Sequence, residues 1–145
     1  MNARDFLTLA QNLAIAGNEA AWRSAASRAY YSAFHVAREL LEGLRFVVPR
    51  AERGHAYLWL RLSNCGDAHV QLAGRELNDL RGERNRADYD VTRSFLQAAA
   101  RGHVRVAQRI IQILDSATVE PTRTAITDAM KVYERDVLKE VTWRP

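Results

Sequence analysis

The chain contains little cysteine, proline, glycine or lysine, and these shortages exclude several classes of protein. A single cysteine, Cys65, rules out an intrachain disulfide and any cysteine-based zinc site. Only three prolines and seven glycines occur in 145 residues, so the sequence predicts an ordered chain without low-complexity segments. No apolar run approaches the roughly 18 residues of a membrane-spanning helix, and we recognise no secretory signal. We therefore expect no membrane association and a cytoplasmic location.

The basic side chains are almost all arginine. Nineteen of the 21 basic residues are Arg, and 17 acidic residues leave a formal net charge of +4. Arginine grips phosphate oxygens with two parallel hydrogen bonds, so this composition permits a nucleic-acid partner. The same arginines also suit ordinary surface ion pairs, and +4 produces only a weak field. Composition alone does not decide between the two roles.

Apolar residues recur at helical spacing, and no stretch alternates as a β-strand does. We predict an all-α fold: an antiparallel up-and-down bundle of about five helices in residues 1–116, then a C-terminal helical extension in 117–145. The extension is expected to pack on the bundle or on a dimer mate. The first helix is predicted to end near Gly17, the second to run from Asn18 to about Leu44, and the third to lie within 51–62. The fourth is predicted to be capped by Asp67, and the fifth to run from about Thr92 to Asp115. The sixth is predicted to face inward with Ile126, Met130, Tyr133 and Val137.

The long second helix is predicted to have an alanine-rich core face and an opposite polar face. Two aromatic side chains between these faces, Tyr30 and Phe34, are too apolar for simple exposure. They indicate that a second helix or a second protomer covers this flank. The polar face carries Arg28, Tyr31, His35 and Arg38.

Three segments together are recognisable: "SRAYYSAFHVARELL" (27–41), "RGHAYLWL" (53–60) and "LNDLRGERNRADYD" (77–90). In this order and at these separations they resemble the HEPN domain superfamily, in particular its small stand-alone proteins with an R-x-x-A-D-Y motif. The resemblance covers about residues 3–115. It implies an up-and-down helical bundle that commonly forms a homodimer.

The resemblance also implies where chemistry would occur. In active HEPN nucleases an Arg-Asn pair follows the fourth helix, with a histidine about four to six residues beyond the arginine. Two such motifs face each other across the dimer and form a metal-independent ribonuclease site that needs no cofactor. Other members are toxins paired with nucleotidyltransferase antitoxins, or have no demonstrated catalysis. RNA, a nucleotide and a nucleotidyltransferase antitoxin are thus the implied candidate partners.

The stretch "RGERNRADYD" contains the Arg-Asn pair, as Arg84 and Asn85, but no histidine follows it. Histidine serves as both base and acid near neutral pH because its ordinary pKa is about 6.5. An aspartate, with an ordinary pKa of about 3.9, is ionised and repels phosphate. We expect Asp88 to pair with Arg84 at the end of the fourth helix, and Tyr89 to turn inward and bury its ring.

Two other histidines stand at suggestive spacings from an arginine. Arg28 and His35 are seven residues apart on one helix face, and the bundle could bring His35 towards the Arg-Asn pair. Arg50 and His55 also match the spacing, but we expect them in a loop before the third helix, away from the family site. With 19 arginines and four histidines, such matches arise by chance.

Three functions remain open from the sequence. The first is a dimeric HEPN-like module that binds a nucleotide, RNA or a protein partner, within a toxin–antitoxin or defence pair, without efficient catalysis. The second is a metal-independent ribonuclease toxin that uses Arg84 with His35 or Asp88. The third is a purely structural interaction protein. The candidate catalytic residues are Arg84, His35 and Asp88; the candidate anion-binding residues are Arg84, Asn85, Arg81, Arg28, Tyr31 and His35; the structural residues are Asp88 and Tyr89; no metal ligand is predicted.

Overall fold

A computed structural model describes residues 1–145 as six α-helices without a β-sheet. The predicted all-α helical bundle is confirmed. Phe46 and Trp143 form one isolated antiparallel bridge, and no helix combines the length and apolar character that crossing a bilayer requires. The helices are α1 (Arg4–Ala14), α2 (Glu19–Gly43), α3 (Arg53–Leu62), α4 (Ala68–Tyr89), α5 (Gln97–Ser116) and α6 (Thr122–Tyr133), and a π-helical turn (Glu134–Leu138) follows α6.

Helix α2 lies at the centre of the bundle and contacts α1, α3, α4 and α5. Asn18 caps it as predicted, since the Asn18 side-chain oxygen accepts a 2.9 Å hydrogen bond from the Ala21 N–H. Many of the buried positions of α2 carry alanine, which allows neighbouring helix backbones to approach closely at those positions. The alanines with no exposed surface are Ala25, Ala29, Ala33 and Ala37.

The connection between α4 and α5 lies later in the chain than predicted. Helix α5 begins at Gln97 and not at Thr92, because the side chain of Arg23 binds the backbone carbonyls of this connection. The Arg23 Nη1 group donates to the carbonyls of Ala87 and Asp90 at 2.9 and 3.1 Å, and Nη2 donates to that of Arg93. These contacts replace helical hydrogen bonds. At the same end of the bundle, α1 ends at Ala14, three residues before the predicted Gly17, and the Gln97 side chain donates to the Ala14 carbonyl at 2.9 Å.

Helices α3 and α4 come together at Gly74. A Cβ atom at this position would lie 2.7 Å from the Ser63 backbone nitrogen and 2.8 Å from the Leu62 Cβ. No side chain fits there, so the close approach of these helices depends on glycine. Asp67 caps α4 as predicted, since its Oδ1 accepts from the Val70 N–H at 3.0 Å.

The C-terminal extension contacts the bundle within the same chain. Ile126 and Met130 of α6 are fully buried, as predicted, whereas Val137 is 63% exposed. Glu134 follows Ile126 and Met130 at intervals of four residues and occupies the next inward position, where the π-helical turn begins. Its carboxylate accepts a 2.8 Å hydrogen bond from the Nε of Arg61 on α3, and both side chains are almost completely buried.

Candidate functional site

Helix α4 continues through the stretch 81–90 and ends at Tyr89, later than expected. The inward positions of α4 include Leu77, Leu80 and Ala87, at helical spacing. Arg84 falls on this stripe between Leu80 and Ala87, and its side chain is only 16% exposed. Its guanidinium is therefore held against the bundle and does not move freely in solvent.

Arg84 is positioned by two polar and two aromatic neighbours. Its Nη1 group donates to Asn85 Oδ1 at 2.8 Å. Its Nε atom lies 3.0 Å from Asp88 Oδ2, the expected ion pair, but this N–H makes no aligned hydrogen bond. The guanidinium carbon lies 5.1 Å from the ring centre of Tyr31 and 5.8 Å from that of Tyr89, within range of cation–π attraction.

The prediction that Tyr89 buries its ring is wrong. Tyr89 is 74% exposed. The reason is the length of α4: because the helix continues to residue 89, Ala87 takes the inward position, 1% exposed, and Tyr89 points outward. The ring instead forms one wall of the site beside Arg84.

We use the name arginine groove for an open depression along the last turns of α4. Arg81 is joined to Glu52, just before α3, by a 3.2 Å contact between Arg81 Nη2 and Glu52 Oε2. This contact ties the groove to the start of α3. Three guanidinium groups and two carboxylates line the groove, so the formal charge of its lining is positive. The groove is lined by Glu52, Arg81, Arg84, Asn85, Arg86, Tyr89 and Asp90.

His35 does not join the arginine groove. Its ring stacks on Phe6, with 5.9 Å between ring centres, and lies 6.2 Å from the Tyr31 ring. No hydrogen bond joins His35 to Arg84. Burial lowers the pKa of His35, and the positive charge of Arg38 lowers it further. His35 is therefore a neutral side chain packed on α1.

The Tyr31 ring lies within cation–π range of two arginines. The Arg28 guanidinium carbon lies 5.3 Å from its centre, and that of Arg84 lies 5.1 Å from it. Arg28 also lies 5.2 Å from the Phe6 ring. The fold thus brings Arg28, Tyr31 and Arg84 together, while the imidazole of His35 contacts this group only through Tyr31.

The expectation that His55 lies in a loop before the third helix is wrong. His55 lies in the first turn of α3 and not in a loop, and it is only 6% exposed. Its Nδ1 atom forms a hydrogen bond with the Tyr30 hydroxyl, and its ring centre lies 4.8 Å from that of Phe34. These contacts also cover the aromatic flank of α2, so a helix of the same chain does so and not a second protomer. No sequence signal links residues 25 positions apart.

A second depression, which we name the aromatic pocket, adjoins the arginine groove. Glu52 lines both depressions, so the two are neighbours. Ala51, in the wall of the aromatic pocket, has a φ of 59°, which is unusual for a residue other than glycine. The pocket is lined by Tyr31, Phe34, His35, Arg38, Arg50, Ala51, Glu52 and His55.

A family model for the HEPN domain matches residues 1–117. The chain belongs to the HEPN family. The match ends with α5, so α6 and the C-terminal segment lie outside the recognised HEPN domain. No curated protein and no solved structure matches the chain significantly.

The chemical capacity of this HEPN domain follows from what the site contains. Arg81, Arg84 and Asn85 offer guanidinium and amide donors, which suit phosphate oxygens. The last turns of α4 carry no histidine, and Asp88 is engaged with Arg84. Nowhere in the chain do three His, Cys, Asp or Glu side chains converge in an arrangement that could hold a metal ion.

Proposed function

We propose that this HEPN domain is a dimeric module that binds RNA or a nucleotide through phosphate contacts in the arginine groove, without efficient catalysis of its own. The observation that carries the proposal is the position of Arg84. Its guanidinium is fixed between the Tyr31 and Tyr89 rings at the wall of the groove. A fixed guanidinium loses little conformational entropy when it grips a phosphate, so binding is favoured.

The alternative, a metal-independent ribonuclease that uses Arg84 with His35 or Asp88, has less support. RNA cleavage without a metal requires a base for the 2′-hydroxyl proton and an acid for the leaving oxygen. His35 stacks on Phe6, away from Arg84, and Asp88 is paired with Arg84. A carboxylate in that position also opposes the phosphate that Arg84 attracts.

The proposal includes a role within a toxin–antitoxin or defence pair, with a nucleotidyltransferase antitoxin as the candidate protein partner. Family membership is its only support. We expect a nucleotidyltransferase gene beside the gene for this chain. We also expect the two proteins to co-purify. Neither finding would be expected of a purely structural protein.

The experiment that separates binding from catalysis is incubation of the purified protein with total RNA and tRNA in the presence of a chelator. The wild type should retard the RNA on a native gel and leave it intact on a denaturing gel. Arg84→Ala should lose the retardation, and His35→Ala should keep it. Cleavage by the wild type that disappears in either variant would establish the ribonuclease instead.

A further inference from the structure

The His55 side chain is buried yet has one ring nitrogen without a partner. It is only 6% exposed. Nδ1 forms a hydrogen bond with the Tyr30 hydroxyl, whereas Nε2 forms none within the chain. Nε2 is not among the fully buried unpaired atoms of the chain, so it keeps access to the pocket that His55 lines and is free to bond a ligand there.

The hydrogen bond to Tyr30 determines which ring nitrogen of His55 carries the proton. The Tyr30 hydroxyl is buried, and His55 Nδ1 is its only partner. The hydroxyl must therefore donate to Nδ1, because its hydrogen would otherwise be unsatisfied. In a neutral imidazole with Nδ1 as acceptor, the hydrogen is on Nε2, which is then a donor. Burial, together with the charges of Arg81 and Arg84, lowers the pKa of His55 and favours this neutral form.

The walls of the aromatic pocket suit a flat, uncharged heterocycle. Tyr31 is half-buried and Phe34 is 6% exposed, and both rings border the pocket with His55. Aromatic side chains of this kind stack against unpaired bases in single-stranded nucleic acids. A donor at the edge of such a pocket meets an acceptor on any base, since all four bases carry ring nitrogens or carbonyl oxygens.

Arginines line the pocket and the depression next to it. Arg84 lines the adjoining arginine groove, and Arg50 lines the pocket itself and forms no ion pair within the chain. A strand whose base enters the pocket could place one neighbouring phosphate near each arginine. Paired bases in a duplex are stacked and cannot enter.

We propose that the aromatic pocket receives one unpaired base of a single-stranded RNA, and that the Nε2–H of His55 donates a hydrogen bond to an acceptor on that base. The inference rests on the proposed function, because the phosphates beside the base lie against the arginine groove. It adds a base-contacting residue, a fixed tautomer and a preference for single strands.

Fluorescence anisotropy tests the proposal. It measures the binding of a labelled ten-nucleotide single-stranded RNA and of the same RNA as a duplex, and it measures polyphosphate binding by competition. His55→Phe keeps the ring but removes the donor, and should weaken single-strand binding about three- to tenfold, the usual effect of one hydrogen bond. Polyphosphate binding should not change. Arg84→Ala should weaken both. Thermal melts identify any variant that fails to fold.

A second measurement needs no substitution. Nitrogen-15 spectra of the wild-type protein should show the His55 proton on Nε2, and the single-stranded RNA, but not polyphosphate, should shift that resonance. Two spectroscopic results would overturn the base pocket: a proton on Nδ1 of His55, or an Nε2 resonance that the RNA does not shift. Two binding results would also overturn it: equal losses of RNA and polyphosphate binding in His55→Phe, or duplex binding as tight as single-strand binding. None of these results would contradict the arginine groove. Unchanged RNA binding in Arg84→Ala would overturn the proposed function itself.

Discussion

Arg84 and Asp88 lie one turn apart on α4 and form a charge contact, with 3.0 Å between Nε and Oδ2. Asn85 accepts a hydrogen bond from Nη1, so Nη2 is the guanidinium nitrogen that has no partner within the chain. Asp88 thus fixes the direction of the guanidinium and also reduces the positive potential of the groove. The two effects oppose each other in anion binding, and substitution of Asp88 separates them.

Asp88→Asn should strengthen RNA binding about two- to fivefold at low salt, because it removes one negative charge while leaving an oxygen near Arg84. The gain should diminish as salt is added. Anisotropy with the labelled RNA measures both effects. Glu76→Gln, which removes a carboxylate paired with Arg109 elsewhere on α4, is the matched control and should change nothing. Weaker binding by Asp88→Asn would mean that orienting the Arg84 guanidinium matters more for binding than the negative charge of Asp88.

Glu134→Ala should destabilise the protein by about 3 to 5 kcal/mol, because it leaves the buried Arg61 guanidinium without its partner. Removal of residues 117–145 should lower the melting temperature for the same reason. Urea unfolding measures the first change and a thermal melt the second. The double variant Arg61→Met with Glu134→Leu should be more stable than Glu134→Ala. A Glu134→Ala protein as stable as the wild type would show that the extension does not depend on this contact.

The Glu134 carboxylate should also make the stability of the folded protein depend on pH. Burial by itself would raise its pKa, but hydrogen bonds from Thr142 and Arg61 outweigh burial and hold the pKa below its ordinary value. A carboxyl group whose pKa is lower in the folded state stabilises that state above the pKa of the unfolded chain, about 4.3. This stabilisation disappears as the pH falls through the folded value. Glu134→Gln should lack this component of the acid transition.

Gly74→Ala and Gly82→Ala should have opposite effects, although both glycines lie within α4. At Gly82 a Cβ would meet nothing within 4 Å, so alanine should stabilise the helix by about 0.5 to 1 kcal/mol. At Gly74 the Cβ would collide with the backbone of α3, and the free energy of unfolding should fall by about 1 to 3 kcal/mol. Chemical denaturation of the two variants decides. Similar effects at both positions would contradict the close approach of α3 and α4.

The parts of the structure that sequence predicts well are set by local chemistry. Asn18 and Asp67 cap their helices with their own side chains, so a few adjacent residues suffice to identify both starts. The Arg84–Asp88 contact is equally local. Two other contacts join segments that are distant in the sequence: the hydrogen bond between His55 and Tyr30, and the hydrogen bonds from Arg23 to the α4–α5 connection. The spacing of apolar residues carries no information about such contacts.

Homodimer formation remains a prediction, and one of its two original supports no longer applies. The aromatic flank of α2 is covered within the chain, so membership of a family whose domains often dimerise is the remaining support. Light scattering at micromolar concentration should give about twice the 16.4 kDa of one chain. Stable dimers usually bury about 1,200 Å² or more. A mass of one chain at that concentration would contradict the dimer.

The most direct test of the central claim is the salt dependence of RNA binding by wild type, Arg84→Ala and Arg75→Ala. Arg75 is an exposed arginine on the same helix without an ion pair, so it controls for loss of one positive charge. We predict that Arg84→Ala binds the labelled RNA about tenfold or more weakly, with a salt slope reduced by about 0.7 to 1, while Arg75→Ala matches the wild type. Equal affinities and slopes in the two variants would contradict a phosphate-binding role for the arginine groove.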